Sequence, residues 1–142
     1  MDRIERETFI AAPAARVWQI VTEPEQMAIW FSDSVEMDPR VGGRMVLSWK
    51  EHGDCHAVIE RLEPPRLFTF RWAYEMGIEP EPGKSTLVEF ILTEEDGGTR
   101  LRVVESGFAA LPVTDDDRAR RMEGNTGGWQ EHLDRLREYA TS

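Results

Sequence analysis

Residues 52–56 hold the densest group of metal-binding side-chain types, with His52, Cys55 and His56 within five positions. Thiolates and imidazoles are the usual ligands of zinc in proteins. The group straddles a predicted hairpin, and Cys55 and His56 cannot serve one ion because neighbouring side chains of a strand point to opposite faces. No second Cys or His pair completes a tetrahedral set, and no base-and-orienter arrangement activates the thiol. We therefore predict no metal site, no cofactor and no catalytic cysteine.

A carboxylate and two polar side chains near the C-terminus form a second candidate group. Glu105 shares strand parity with Leu101 and Val103, so it faces the interior if they do. A buried carboxylate needs a partner or becomes protonated, and either state serves binding or acid–base chemistry. If the strand end is wet, Glu105 is an ordinary surface residue. Asn125 and His132 lie on one flank of a predicted helix, either at a cavity rim or facing solvent.

Aromatic side chains are the third and largest group. Core packing explains any one of them, because aromatic residues on strand faces usually pack in the interior. Together they could instead line an apolar pocket with a few polar groups, the usual form of a small-molecule site. The set is Trp30, Phe31, Trp49, Phe68, Phe70, Trp72, Phe90, Phe108 and Trp129.

The elements that must position these groups follow from periodicity. A strand is predicted from Arg3 to Ile10, followed by two short helices. A capping-box pattern of Thr22 and Glu25 predicts the start of the second helix. From Ser34 the apolar residues alternate with a period of two, which predicts six more strands. Asp96-Gly97-Gly98 predicts a tight hairpin turn among them.

The C-terminal part predicts one long helix. Thr114 and Asp117 resemble a capping box at its start. One helix face carries Met122, Thr126, Trp129, Leu133, Leu136 and Ala140 at 4-3-4-3-4 spacing. Gly124, Gly127 and Gly128 interrupt the helix, which suggests a close approach or a bend. We expect an α+β fold in which this helix covers the concave face of a curved antiparallel sheet.

The bulk composition limits the function classes. With 142 residues the chain is expected to form a single domain over residues 1–142. A formal net charge of −10 disfavours nucleic acid as a partner. No apolar run is long enough to span a membrane, and we expect no membrane insertion. The charged N-terminus lacks a signal-peptide pattern and there is a single cysteine, so a cytoplasmic location is expected.

Short sequence motifs, taken in order, resemble the START-like (SRPBCC) superfamily. The resemblance is strongest to the branch named after activators of the heat-shock-protein-ninety ATPase, and it runs from about Ile4 to Tyr139. The motifs are Ile10-Ala11-Ala12-Pro13, Val17-Trp18, Thr22-Glu23-Pro24, Trp30-Phe31, Gly42-Gly43, Glu63-Pro64-Pro65-Arg66-Leu67, Glu105-Ser106-Gly107-Phe108, and Gly128-Trp129 with Leu133 and Leu136.

The resemblance implies a helix-grip fold with a cavity between a seven-stranded sheet and the long C-terminal helix. Members of the superfamily bind lipids, sterols, polyketides or flavonoid-like molecules, and a minority are cyclases or hydrolases. Eukaryotic chaperone activators carry an extra N-terminal domain for which this chain has no room, so we do not expect chaperone activation. Contact with a chaperone stays an alternative.

Our first hypothesis is binding of a small apolar or aromatic molecule without assigned catalysis, by a monomer or weak homodimer. The predicted ligand-binding residues are Trp30, Phe31, Trp49, Phe70, Trp72, Phe90, Glu105, Phe108, Met122, Asn125, Trp129, His132 and Leu133. One alternative is a cyclase or hydrolase that uses Glu105 or His132 as acid–base. Another is a chaperone-accessory or stress-response interaction module, whose apolar patch would be the short helix from Met27 to Phe31.

Overall fold

Seven strands form one antiparallel sheet, and three α-helices accompany it in the computed structural model, which describes residues 2–141. The first half contains β1 (Arg3–Ile10), α1 (Ala14–Thr22), α2 (Pro24–Trp30), β2 (Ser34–Met37) and β3 (Arg44–Trp49). The second half contains β4 (Gly53–Glu63), β5 (Leu67–Ala73), β6 (Ser85–Glu95), β7 (Gly98–Ser106), a 3₁₀ turn (Phe108–Ala110) and α3 (Asp115–Ala140).

The strand order is β1-β7-β6-β5-β4-β3-β2, so β1 pairs with the last strand and every other pair is consecutive in the chain. The predicted α+β helix-grip architecture is confirmed, including the order of one strand, two short helices, six strands and a long helix. Helix α3 packs with the stripe of Trp129, Leu133 and Leu136 buried. Because no helix lies between β2 and β7 along the chain, the concave face of the sheet is left for α3 to cover.

The turn between β6 and β7 fixes the register of the strand that carries Glu105. Asp96 and Gly97 have φ values of 49° and 78°, the left-handed conformation that a two-residue type I′ hairpin requires at both positions. The next residue is Gly98, and a Cβ atom at this position would lie 2.5 Å from the carbonyl oxygen of Ile10. The sequence prediction of a hairpin at this Asp-Gly-Gly segment is confirmed.

The two predicted helix starts have different outcomes. Thr114 is the N-cap of α3, and its side chain accepts a hydrogen bond from the Asp117 backbone N–H at 3.1 Å. The capping box at Thr22 and Glu25 is wrong, because the N-cap of α2 is Glu23, without a side-chain cap. The Thr22 hydroxyl instead donates to the Trp18 carbonyl oxygen. With Pro24 at the first position of α2, one backbone N–H that a cap would satisfy is absent.

Two further observations concern helix surfaces: the apolar patch considered for α2 is contradicted, and of the close approach or bend considered for the α3 glycines the close approach is contradicted. The segment from Met27 to Phe31 does not form an apolar patch, because Met27, Trp30 and Phe31 are buried and only Ile29 is strongly exposed, at 53%. In α3, a Cβ atom built on any of the three glycines at positions 124, 127 and 128 meets nothing within 4 Å. These glycines therefore do not serve a close approach. Among residues 2–141, no helix is long and apolar enough to cross a membrane.

Candidate functional site

Glu105 lies buried near the end of β7, on the concave face of the sheet. It is 1% exposed, and Leu101 and Val103 at the same strand parity are also buried. The end of β7 is therefore not exposed to solvent at Glu105, and Glu105 lies in the interior, as one of the two sequence-based alternatives expected. On β6, Glu105 pairs with Val88, so the side chain of Thr86 lies beside it on the same face.

Four side chains donate hydrogen bonds to the Glu105 carboxylate. Trp72 Nε1 of β5 and Thr86 Oγ1 of β6 donate to Oε2, at 2.9 and 2.6 Å. Trp129 Nε1 and Asn125 Nδ2 of α3 donate to Oε1, at 2.9 and 3.1 Å. Asn125 and Trp129 are one helical turn apart, so they reach the same group from one helix face. The carboxylate thus ties α3 to the centre of the sheet.

All four donors are electrically neutral. An ionised carboxylate only accepts hydrogen bonds and offers about four lone-pair positions, so this set of donors matches its ionised form. Within residues 2–141, no Lys, Arg or His side chain forms an ion pair or a hydrogen bond with Glu105. Glu105 is therefore a buried acidic group whose hydrogen-bond partners are all neutral.

The predicted aromatic residues form one packed cluster under α3. Trp72 and Trp129 stack with ring centroids 5.6 Å apart and planes 25° apart. Phe31 lies 5.4 Å from the Trp129 ring and 4.9 Å from the Trp30 ring. Phe70 and Phe90 complete the cluster at 5.7 Å from each other. These rings fill the middle of the interface between sheet and helix.

His132 packs its ring against this cluster, and the residue as a whole is half-buried. Its ring is 5.0 Å from Phe31 and 6.0 Å from Trp129, and both contacts are edge-on. The Nδ1 atom is buried without a hydrogen-bond partner. Burial lowers the pKa of His132, and a hydrogen bond with the Trp30 backbone raises it by a smaller amount. The imidazole is therefore kept neutral among the rings.

A cavity of about 150 Å³ opens beside the Glu105 network, at one end of the aromatic cluster. Its walls come from β3–β7, the loop after β5, the 3₁₀ turn and α3. They are Trp49, Cys55, Trp72, Ala73, Tyr74, Met76, Thr86, Glu105, Phe108, Leu111, Arg121 and Asn125. A buried carboxylate, aromatic rings and open space therefore meet at one place.

Arg121 joins the N-terminal half of α3 to the loop that follows β5. Its guanidinium donates to Asp117 Oδ2 at 2.8 Å and to the Tyr74 carbonyl oxygen at 3.0 Å. It also pairs with Glu75 at 3.6 Å and lies over the Tyr74 ring, 5.1 Å from the centroid. The charge of Arg121 is thus already matched by two carboxylates at the cavity wall.

Cys55 faces the cavity from β4, while His56 follows on the other face of that strand, as predicted. Burial and the nearby charge of Glu105 raise the pKa of the Cys55 thiol to about 12. A thiol with this pKa stays protonated near neutral pH and is a poor nucleophile.

The predicted site residues fall into two groups. The cavity wall contains five of them: Trp49, Trp72, Glu105, Phe108 and Asn125. The interior beside it contains Trp30, Phe31, Phe70, Phe90, Trp129 and Leu133, and the half-buried Met122 and His132 pack against it.

Sequence reasoning did not name Thr86 or Arg121 as site residues. Both carried a usable signal. Thr86 shares strand parity with Val88 and Phe90, so it is a polar residue on an apolar face. Arg121 precedes Asn125 by four residues and Trp129 by eight, which places all three on one face of a helix.

Comparison with known proteins gives one family match. The sequence model of the family described as Activator of Hsp90 ATPase homolog 1-like protein matches residues 11–141. A search of curated protein sequences gave no match.

Similar solved structures include protein MLL2253 from Mesorhizobium loti, with 24% identity, a TM-score of 0.80, and coverage of 96% of this chain and 94% of that one. CalU16 from Micromonospora echinospora is 27% identical with a TM-score of 0.74, over 97% of this chain and 75% of that one. A structure described as the Aha1 dimer from Colwellia psychrerythraea is 20% identical with a TM-score of 0.78, over 97% and 95%.

Proposed function

Because the chain belongs to the Activator of Hsp90 ATPase homolog 1-like family, we propose that it binds a small apolar or aromatic molecule in the cavity beside Glu105. The observation that carries this proposal is the cavity of about 150 Å³ with aromatic walls and one buried carboxylate network. An apolar pocket with a few fixed polar groups is the usual form of a small-molecule site. Burial of ligand surface would supply affinity at about 25 cal/mol per Å².

The size of the cavity restricts the ligand. An engineered apolar protein cavity of about 150 Å³ binds benzene, whereas drug-sized ligands use pockets of about 300–1,000 Å³. The resting cavity therefore suits one ring or a short branched chain. A lipid or polyketide would have to extend out of the cavity or displace α3, and displacing α3 would separate Asn125 and Trp129 from Glu105.

Binding is favoured over acid–base catalysis by the surroundings of the two candidate groups. Each oxygen of Glu105 already accepts hydrogen bonds from protein donors. The Nδ1 atom of His132 has no hydrogen-bond partner, and His132 is not among the described residues that line the cavity. A general acid or base must be within hydrogen-bond reach of its substrate, which His132 is not, and Glu105 lines the cavity with both oxygens already engaged.

The test fills the cavity from one position. Cys55 is 4% exposed and lines the cavity, so Cys55→Leu adds atoms where a ligand would lie, and Cys55→Ala leaves the space open. The ¹⁵N-labelled protein and both variants are titrated with phenol and with indole, and the tryptophan indole N–H signals are followed by NMR. We expect saturable shifts at Trp72 and Trp49 in the wild type and in Cys55→Ala, and none in Cys55→Leu.

Two results would count against the proposal. The first is a wild-type protein in which neither probe shifts these signals at millimolar concentration. The second is unchanged binding by a folded Cys55→Leu variant, which would place the bound probe elsewhere. Folding of each variant is checked by the dispersion of the same spectrum.

A further inference from the structure

The charges around the cavity are unbalanced. Among the described residues that form the wall, Glu105 and Arg121 are the two charged side chains. Arg121 is paired with Asp117 and Glu75, whereas the hydrogen bonds to Glu105 all come from neutral groups. Asp117 is also paired with Arg120, so both carboxylates beside Arg121 have cationic partners, whereas the Glu105 carboxylate buried at the cavity has none among the described residues. Glu105 itself is almost fully buried, and a charge so poorly solvated acts strongly on a bound molecule.

The uncharged part of the wall is rich in aromatic rings. Trp49, Trp72, Tyr74 and Phe108 all contribute to it. The face of an aromatic ring carries negative electrostatic potential and attracts cations, most strongly in Trp. Tyr74 already shows this behaviour at the edge of the cavity, because the Arg121 guanidinium lies over its ring at 5.1 Å.

From these observations we propose that the molecule held in the cavity carries a small organic cation of the alkylated ammonium class. The aromatic rings surround its alkyl groups, and Glu105 supplies the opposite charge. This inference rests on the proposed function and names the polar end of its ligand. An alkylated ammonium suits the arrangement because it needs few hydrogen bonds, and the lone pairs of the Glu105 carboxylate are already occupied.

The same geometry disfavours an anionic ligand. An anion would need a free cationic donor, and the guanidinium of Arg121 is held by Asp117, Glu75 and the Tyr74 carbonyl oxygen. It would also lie close to the Glu105 carboxylate in surroundings of low dielectric constant, where repulsion between like charges is strong.

The test compares two probes of one shape. Choline has a quaternary nitrogen where 3,3-dimethylbutan-1-ol has a quaternary carbon. The two molecules therefore have nearly the same size, and only choline is charged. Both are somewhat larger than benzene, and their hydroxyl ends can extend toward the open side of the cavity of about 150 Å³. Each is titrated into the wild-type chain by calorimetry, with NMR of the indole N–H groups of Trp72 and Trp129 to locate binding. We expect choline to bind about tenfold more tightly or better.

The outcomes separate this inference from the proposed function. Equal or tighter binding of 3,3-dimethylbutan-1-ol would overturn the cationic assignment and leave a cavity for neutral molecules. Absence of binding by both probes, together with failure of phenol and indole, would overturn both proposals. Choline binding that persists unchanged in Cys55→Leu would also overturn the inference, because the cation would then be bound outside the cavity. Because the two probes are compared on the wild-type protein, the test does not require a folded Glu105 variant.

Discussion

Glu105→Gln is the substitution that tests most directly how the buried network stabilises the fold. It keeps the shape of the side chain and removes its charge. The carboxylate accepts from Trp72, Thr86, Asn125 and Trp129. A glutamine offers one acceptor oxygen, and its NH₂ group must then face two of these donors. The substitution therefore creates donor–donor conflicts in a region that water does not reach.

The expected loss of stability follows from the number of bonds affected. A hydrogen bond to a charged group contributes about 1.5–3 kcal/mol, and a neutral one about 0.5–1.5 kcal/mol. Two bonds weaken from charged to neutral, which costs about 2 kcal/mol in total. Two others are lost, although the Thr86 hydroxyl relieves one by turning its proton. We expect a loss of about 3–6 kcal/mol, a large share of the ~5–15 kcal/mol of a typical domain.

Urea unfolding followed by tryptophan fluorescence measures this loss. With an m-value of about 2 kcal/mol/M, the midpoint should fall by about 1.5–3 M without a change in m. Glu94→Gln is the matched control, because Glu94 is exposed on β6 and should change stability by less than about 0.5 kcal/mol. A Glu105→Gln variant that loses less than about 1 kcal/mol would refute the reasoning about the four donors.

Two further predictions concern α3. Gly124→Ala and Gly127→Ala should each raise the free energy of unfolding by about 0.5–1 kcal/mol, because alanine is the better helix former and its Cβ meets nothing within 4 Å. The urea midpoint checks this, and Gly98→Ala should lower it, since a Cβ there lies 2.5 Å from the Ile10 carbonyl oxygen. Burial lowers the pKa of His132 below its ordinary 6.5, so the unfolded chain takes up a proton first and stability is lost as pH falls below that value. The free energy of unfolding is measured at about pH 8 and about pH 5 for the wild type and two variants. The difference between the two values should be smaller in His132→Leu than in the wild type, and unchanged in His52→Gln, where the histidine is exposed. Equal pH dependence in all three proteins would contradict the burial argument.

The fold could be predicted because its signals are local or periodic. Alternation along Phe68, Phe70 and Trp72 predicts a strand, and Asp96-Gly97 predicts the turn that the φ values confirm. The start of α2 could not be predicted from Thr22 and Glu25. Their pattern describes one way to satisfy backbone donors, and Pro24 removes part of the need for it.

The site was less predictable because its partners come from separate elements. Strand parity left two environments open for Glu105, and the choice depended on α3 covering the end of β7 with Asn125 and Trp129. His132 was expected at a boundary from its position on the helix. It lies among rings because Trp30 and Phe31 reach over from α2 and its end. Such contacts depend on tertiary packing, which the pattern of residues along the sequence does not reveal.

The Glu105 network also limits what the protein can bind without rearrangement. Two of the four donors to the carboxylate belong to α3. A ligand that lifts this helix from the sheet breaks both bonds, which costs about 3–6 kcal/mol and weakens its affinity by about two to four orders of magnitude. A ligand that fits the existing cavity avoids this cost, and one that brings a positive charge to Glu105 gains attraction as well. If the cavity binds a ligand as proposed, the same network that holds the helix in place would therefore favour small, positively charged ligands over large neutral ones.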